Sequence, residues 1–419
     1  MTPSEDPLNS LIHRAERGPA GRGPLAGWSL AVKANIEVAG LPATAATAAL
    51  ADWVPDTDAP LVARLRAAGA TIDAIANMHE LAFGATNVAS VHGPVRNPRD
   101  PARAAGGSSG GSAAAVVAGL VDASIGTDTG GSCRIPAALC GCVGFRPTTG
   151  RYPSAGMVSL SPTRDTAGPL TRSVADARLL DAVMAADPTE ADPVALDRLR
   201  IGLPRTPYYA DTDPALAAVV ERALDRLAAA GAALVDVDLR EVEAANARCA
   251  SQIVLYEAPR ELALYLAVRG LAVTLRELVA AVGGAQERAA LEAQLGPGAI
   301  DAETYRDALV VQRPRLQDLY ARAFADARID ALALPTTPVP APLLEHDVEL
   351  DLDGRRAPTF LTLIRNTDAP STAGLPCLSI PAGDTPAGLP VGLELVGPAG
   401  TDRRLLRIGE AAEAALSCA

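Results

Sequence analysis

Two glycine- and serine-rich segments lie close together in the stretch AGGSSGGSAAAVVAGLVDASIGTDTGGSCRIP, residues 105–136. The apolar run between them, at 112–126, predicts a helix followed by a strand. A flexible linker would join independent units through polar sequence, whereas GGSSGGS (106–112) runs directly into this apolar helix. A phosphate loop would need GxxxxGK[ST], or GxGxxG after a strand, and no lysine follows. The remaining interpretation is an active-site turn that works together with the second segment.

The second segment, GTDTGGSCRIP (126–136), has the features of a turn that binds an oxyanion and carries a nucleophile. Paired glycines let backbone N–H groups converge, as an oxyanion requires, and a serine follows them. A serine hydroxyl needs a base, and the nearby histidines, His79 and His92, lie in neither segment. Lys33, in the apolar strand-like run LAVKANIEVAG, is the other candidate if burial keeps it neutral. From the residues alone, a charged lysine at a strand edge explains Lys33 equally well.

The rest of the chain alternates short strand-like runs with helical runs rich in Ala and Leu. This pattern predicts the α/β class, with a sheet that helices cover on both faces. Because no polar linker divides the sequence, we expect a single domain. We expect strands at 28–36, 329–342, 375–383 and 389–397, helix followed by strand at 59–72, 112–126 and 213–239, an almost wholly helical region at 241–327, and a closing helix at 402–416.

Composition excludes several function classes. The 419 residues carry a formal charge of −12, which argues against a nucleic-acid-binding surface. Six cysteines are too sparse for a disulfide framework, and Cys140-Gly141-Cys142 is not a CxxC motif. The four histidines stand far apart and form no HExxH, so we expect no metal site.

Targeting signals are not evident in the sequence. The N-terminal MTPSEDPLNSLIHRAERG is polar and lacks the basic and apolar regions of a signal peptide. No uncharged apolar run reaches the 18 residues that a membrane span needs. We therefore expect a cytoplasmic protein with reduced thiols and no membrane association.

Three motifs together resemble the amidase signature family: VKANIEVAG around Lys33, AGGSSGGSAAAV (105–116) and GTDTGGSCRIPAALCGCVGFRPTTGR (126–151). Ser132 follows Ser108 by 24 positions, which is the spacing of that family, and the resemblance extends over residues 8–416. Four flanking stretches resemble its indoleacetamide and mandelamide hydrolase branch. They are NMHELAFG (77–84), GPVRNPRDPAR (93–103), SPTRDTAGPLTRSVADARLLDAV (161–183) and RNTDAPSTAGLPCLSIPAG (365–383).

The resemblance implies a catalytic triad of two serines and a lysine. Ser132 is the expected acyl nucleophile. Ser108 is expected to follow a cis peptide bond and to relay the proton, and Lys33 is the expected terminal base. Ser109 is the neighbouring alternative for the relay. The expected oxyanion hole consists of the backbone amides of Thr129, Gly130, Gly131 and Ser132, and Asp128 and Arg134 are expected to brace that loop.

The implied activity is hydrolysis of a small primary carboxamide, of arylacetamide type, to a carboxylate and ammonia without metal or organic cofactor. Two alternatives stay open: a partner-dependent amidotransferase or acyltransferase subunit, and a catalytically weak binding protein of the same fold.

The implied domain covers residues 1–419, with a signature core at about 25–190, a helical substrate-region insertion at about 240–327 and C-terminal strands and helix at 329–419. A homodimer is expected from the habit of the family. The chain departs from the family at Ala34, where Asp is usual, and at AIAN (74–77), where GKTN is usual.

Overall fold

The computed structural model of the chain describes residues 6–16, 21–352 and 354–417. Of the polar N-terminal segment, residues 1–5, 17 and 18 lie outside these ranges, as does Cys418. The strands are β1 (Leu11–Arg14), β2 (Ser29–Lys33), β3 (Thr71–Ala76), β4 (Ala123–Asp128), β5 (Val143–Arg146), β6 (Thr166–Thr171), β7 (Arg200–Leu203), β8 (Ala233–Asp236), β9 (Ala331–Pro335), β10 (Glu349–Leu352), β11 (Arg355–Pro358), β12 (Cys377–Asp384) and β13 (Pro390–Val396).

The helices lie between the strands and after the last of them. They are α1 (Pro60–Ala67), α2 (Gly110–Val117), α3 (Arg134–Cys140), α4 (Val174–Met184), α5 (Arg205–Tyr208), α6 (Pro214–Ala229), α7 (Arg240–Ala247), α8 (Ala250–Val268), α9 (Leu275–Ala280), α10 (Ala285–Ala293), α11 (Ala302–Asp307), α12 (Arg313–Ala327), α13 (Thr359–Ile364), α14 (Asp368–Ala373) and α15 (Asp402–Ser417). The region at 241–327 is almost wholly helical, as its sequence predicts.

Eleven strands form one mixed sheet in the order β1-β3-β2-β4-β6-β5-β12-β13-β9-β7-β8. Near one end, β2 runs parallel to β3 and β4, and near the other, β7 runs parallel to β8 and β9. Antiparallel pairs connect these two groups through the centre of the sheet. This confirms the predicted α/β fold, a single domain with a mixed sheet flanked by helices. The finer division into core, insertion and C-terminal part stays a prediction.

Alternation along β2 decides which face of the sheet Lys33 occupies. Leu30 and Val32 belong to the apolar cluster that includes residues of α1, whereas Ala31 packs with α2 on the opposite face. Because side chains alternate along a strand, Lys33 points to the same face as Ala31. It therefore points toward α2, whose first turn follows the GGSS segment.

Capping residues explain where α6 begins and ends. The Asp213 side chain accepts a hydrogen bond from the Leu216 amide at 2.9 Å, and Pro214 occupies the first helical position. After the last turn, Gly231 has a φ of +105°, which favours glycine. All three features match the pattern in the sequence.

Candidate active site

Lys33 lies at the end of β2 and is fully buried. Its Nζ is 2.8 Å from Ser108 Oγ and 2.8 Å from Thr127 Oγ1, with the Thr127 carbonyl oxygen at 3.5 Å. Within the described residues, no carboxylate contacts this nitrogen. The structure therefore places Lys33 beside Ser108, in surroundings made of hydroxyl and carbonyl groups.

Burial lowers the pKa of Lys33 from 10.5 to about 7. Removing the ammonium from water disfavours its charged form, and the negative charges of Asp128 and Asp165 oppose this effect only partly. A large fraction of Lys33 is consequently an uncharged amine near neutral pH. Such an amine has the lone pair that a general base needs.

The two serines of the SS pair have different surroundings. Ser108 follows a cis peptide bond, as expected, and its carbonyl oxygen accepts a hydrogen bond from the His79 amide at 3.0 Å. The Ser109 hydroxyl instead donates to the Thr127 carbonyl at 3.1 Å and accepts from the Thr127 amide at 3.3 Å. Ser109 is thus bonded to the backbone of β4, while Ser108 contacts Lys33.

Ser132 is half-buried at the edge of a cavity, directly before α3. Its carbonyl oxygen accepts a hydrogen bond from the Ser109 amide at 3.2 Å, which joins the two glycine–serine segments. In the part of the chain that the structure describes, no hydrogen bond links the hydroxyls of Ser132 and Ser108. The structure therefore brings the two segments together, but the Ser132 hydroxyl is not hydrogen-bonded to the hydroxyl of Ser108, the expected relay.

The glycines of the second segment are required by space as well as by backbone conformation. Gly131 has a φ of +137°, and a Cβ there would lie 2.2 Å from Thr367 Oγ1. The Thr367 hydroxyl donates to the Gly130 carbonyl at 2.6 Å, which fixes the turn from the other side. The Gly131 amide donates to Asp128 Oδ1 at 2.9 Å, whereas the amides of Thr129, Gly130 and Ser132 have no acceptor among the described residues.

Asp128 organises this turn from beneath. Its carboxylate accepts hydrogen bonds from the Gly131 and Cys133 amides, from Arg134 Nε at 3.0 Å and from Arg146 Nη1 at 2.9 Å. Burial alone would raise the pKa of Asp128, but the two guanidinium groups hold it well below its usual value. Asp128 and Arg134 therefore both lie against this turn, together with Arg146, which the sequence analysis did not single out.

Arg134 also connects the turn to the C-terminal strands. Its Nη1 is 2.5 Å from Glu394 Oε1 on β13, and its Nη2 donates to the Thr367 carbonyl at 3.1 Å. Burial raises the pKa of Glu394 to about 7, an effect that Arg134 opposes only in part. The guanidinium thus joins three distant segments of the chain.

A cavity of about 360 Å³ opens beside Ser132, and we call it the acyl cavity. Much of its wall is apolar, and Arg164 and Asp368 form an ion pair at 2.5 Å within it. The lining consists of Ala82, Phe83, Gly84, Ala85, Gly107, Thr129, Gly130, Ser132, Ile135, Leu160, Arg164, Asn246, Ala247, Ala250, Ser251, Val254, Leu255, Ala290, Phe360, Leu361, Ile364 and Asp368. Such a cavity accommodates a small molecule with an apolar body.

Comparisons with known proteins identify the family of the chain. A family model described as Amidase matches residues 8–406. The chain belongs to the amidase family. It is an enzyme that hydrolyses amides, and the resemblance to the amidase signature family is confirmed.

Named relatives of this amidase include hydrolases of two aromatic amides. An indoleacetamide hydrolase from Allorhizobium ampelinum is 42% identical over 97% of this chain and 88% of its own length. A mandelamide hydrolase from Pseudomonas putida is 38% identical over 94% of this chain and 79% of its own.

Solved structures show the same fold. A crystal structure of an amidase has a TM-score of 0.86 and 36% identity, covering 98% of this chain and 93% of that chain. The native peptide amidase from Stenotrophomonas maltophilia has a TM-score of 0.79 and 31% identity, covering 98% of this chain and 89% of that chain.

Several residues of the candidate site were missed by the sequence analysis. Thr127 contacts Lys33, Arg146 contacts Asp128, and Thr367 supports the glycine turn. Thr127 and Arg146 lie inside the 126–151 motif, and Thr367 lies inside the quoted stretch 365–383. The motifs therefore contained these residues, but only the fold shows what each side chain touches.

Proposed function

We propose that this amidase hydrolyses small primary carboxamides of arylacetamide type through an acyl-enzyme on Ser132, with Ser108 as relay and Lys33 as base. The observation that supports this most directly is the fully buried Lys33, whose Nζ is 2.8 Å from Ser108 Oγ and whose pKa is about 7. A neutral lysine next to a serine is an activated base, because its lone pair can accept the hydroxyl proton.

The surroundings of Lys33 favour the required orientation of that lone pair. A neutral amine has two N–H groups and one lone pair. The hydroxyl and carbonyl oxygens of Thr127 can accept the two N–H groups, at 2.8 and 3.5 Å. The lone pair then faces the O–H of Ser108.

The proposed reaction has two halves. Ser132 Oγ forms a bond to the amide carbon while its proton passes through Ser108 to Lys33. The C–N bond then breaks, and the protonated Lys33 returns the proton through Ser108 to the leaving nitrogen, which departs as ammonia. Water attacks the acyl-enzyme by the same proton route and releases the carboxylate. Ser132 Oγ must approach Ser108 to about 2.6–3.2 Å for the transfer, and such hydrogen bonds often tighten only with substrate bound.

The oxyanion of each tetrahedral intermediate is proposed to bind the backbone amides at 129–132. Gly131 already donates to Asp128, so Thr129, Gly130 and Ser132 supply the amides that have no acceptor among the described residues. One donor of this kind is typically worth on the order of 10²–10³ in rate. Asp128 and Arg134 are proposed to hold the loop in position.

The acyl group is proposed from the cavity and from the named relatives. Apolar side chains dominate the acyl cavity of about 360 Å³ next to Ser132. Relatives named for indoleacetamide and mandelamide act on amides with one aromatic ring system close to the carboxamide. The same class of substrate suits this cavity.

The experiment is ammonia release by the purified chain from indole-3-acetamide, mandelamide, phenylacetamide, short aliphatic amides and glutamine. We expect the arylacetamides to have the highest kcat/KM, and Ser132→Ala and Ser108→Ala to abolish turnover. Ser112→Ala is the matched control, because Ser112 belongs to the same segment and its buried hydroxyl has no partner among the described residues. Ammonia release only with a partner protein would favour the amidotransferase alternative, and failure of Ser132 to react with a fluorophosphonate probe would favour a binding protein.

The remaining expectations from the sequence stay proposals. We propose a homodimer, because that is usual in the family, and a cytoplasmic location, because the cysteines are too sparse for a disulfide framework. Light scattering of the purified chain and fractionation of the source cells test them. For the described residues, no helix is long and apolar enough to cross a membrane.

A further inference from the structure

A second cavity of about 190 Å³ lies against the acyl cavity. The residues that line both are Phe83, Gly84, Ala85, Ala290 and Phe360. Ser132 and the turn at 129–131 line only the acyl cavity. The second cavity therefore shares a wall with the acyl cavity but is not lined by Ser132 or by the turn that follows β4.

The polar groups of the second cavity are dominated by two carboxylates, Glu287 on α10 and Asp347. The His79 ring bonds Glu287 Oε1 through Nε2 at 2.9 Å, and His79 Nδ1 accepts from the Asn87 amide at 3.1 Å. Because Nδ1 is an acceptor, the ring proton lies on Nε2 and faces Glu287. The Thr86 hydroxyl donates to Asp347 Oδ1. The second oxygen of each carboxylate has no side-chain donor within the described ranges.

The second cavity has a negative character that its wall does not neutralise. His79, Thr86 and Gln286 are the other polar side chains of its lining, which contains no lysine or arginine among the described residues. Burial alone would raise the pKa of Glu287, but the hydrogen bond from His79 brings it below its usual value. The Glu287 side chain is only 10% exposed, so its charge is weakly screened by solvent.

An uncharged apolar substituent would suit this cavity poorly. Filling the space would remove water from two carboxylates without giving them a further donor, which is costly. An ammonium group supplies both the donors and the opposite charge. Of the groups that an acyl chain could carry, the cavity therefore favours a cation.

We propose that the second cavity is a specificity subsite for an ammonium-bearing substituent at the far end of an arylacetamide acyl group, with Glu287 and Asp347 as its acceptors. The inference rests on the proposed function and extends it, since it names the acyl class that the enzyme prefers. His79 and Thr86 act as positioning residues that hold the two carboxylates.

The test compares two amides of nearly equal shape, 4-(aminomethyl)phenylacetamide and 4-ethylphenylacetamide, at about pH 8, where a primary alkyl amine stays mostly protonated. The ratio of their kcat/KM values is the readout. We expect the wild-type enzyme to prefer the ammonium substrate by at least about tenfold. A ratio near one, or a preference for the ethyl compound, overturns the proposal.

The carboxylates are tested by the double variant Glu287→Gln/Asp347→Asn, in which both side chains still accept from His79 and Thr86. We expect the ratio to fall to about one, since the charge is gone while the shape is kept. Glu292→Gln, on the exposed side of the same helix α10, is the matched control and should keep the wild-type ratio. A high ratio that persists in the double variant overturns the assignment to these residues.

The proposed function can fail separately from this inference. Loss of activity on phenylacetamide and on every other arylacetamide would contradict the proposed function. Normal hydrolysis of phenylacetamide, together with equal kcat/KM values for the matched pair, would contradict only the subsite.

Discussion

Replacing Lys33 by methionine should abolish turnover and, at the same time, make the pH dependence of stability flatter. The pKa of Lys33 falls from 10.5 to about 7 on burial, which corresponds to about 5 kcal/mol of lost stability when the folded state is compared with an unfolded chain. Because the folded pKa is the lower one, this penalty is fully present below about pH 7. It decreases as the pH rises toward 10.5 and vanishes above that value.

The prediction is a difference between two proteins across pH. Linkage gives the wild type about 2–3 kcal/mol more stability at about pH 9 than at about pH 6, a gain that Lys33→Met should lack. The variant also loses the hydrogen bonds to Ser108 and Thr127. The Ser108 hydroxyl then has no partner among the described residues, at a cost of about 1–3 kcal/mol, whereas Thr127 Oγ1 still accepts from Asn35 Nδ2. That loss is independent of pH, so it shifts the whole curve without changing its slope.

The assay is urea unfolding of both proteins at several pH values between about 6 and 9. Other titrating groups contribute equally to both curves and cancel in the difference. Parallel curves for wild type and variant would refute the reasoning, because they would mean that Lys33 keeps its ordinary pKa in the folded state. Residual turnover in Lys33→Met equal to that of the wild type would remove the lysine from the mechanism.

Three further outcomes are expected. The wild-type kcat/KM should rise through about pH 7 as Lys33 loses its proton, and a profile that is flat from about pH 6 to 9 would count against a titrating base. Asp128→Asn should lower the free energy of unfolding by about 3–5 kcal/mol, since it removes the carboxylate that Arg134 and Arg146 share and leaves Arg146 with no carboxylate partner among the described residues; an unchanged thermal midpoint would contradict this. Gly131→Ala should abolish activity, because its Cβ would collide with Thr367, whereas Gly400→Ala, at a positive φ in open space, should retain activity and lose only about 1–2 kcal/mol of stability. Equal activity in the two glycine variants would show that the turn tolerates a side chain.

Much of the fold could be predicted because helical and strand periods alternate clearly in the sequence. The pattern fails where a strand lacks its usual residue types. β6 contains Gly168 and Pro169 in its centre, and β10 and β11 form an exposed hairpin rich in charged residues. Neither has the apolar alternation that identifies a strand, so tertiary pairing decides their structure.

The site could be predicted in part, because its glycines and serines form local motifs. The supporting contacts are different, since they depend on strand register and on packing between distant segments. Glu394 reaches Arg134 only because β13 pairs with β12, which in turn pairs with β5. Glu394 did give one signal, a charged residue in an apolar strand, which is the same signal that drew attention to Lys33.

The contacts of Arg134 also determine when the loop can assemble during synthesis. Its partners Thr367 and Glu394 follow it by 233 and 260 residues, and the ribosome releases the chain from its N-terminus. Until those last segments emerge, the Arg134 guanidinium can pair only with the carboxylate of Asp128, and β5 lacks its neighbour β12. Translation must therefore be almost complete before the nascent polypeptide can become active, and a prematurely terminated product would be inert even though every motif serine is present.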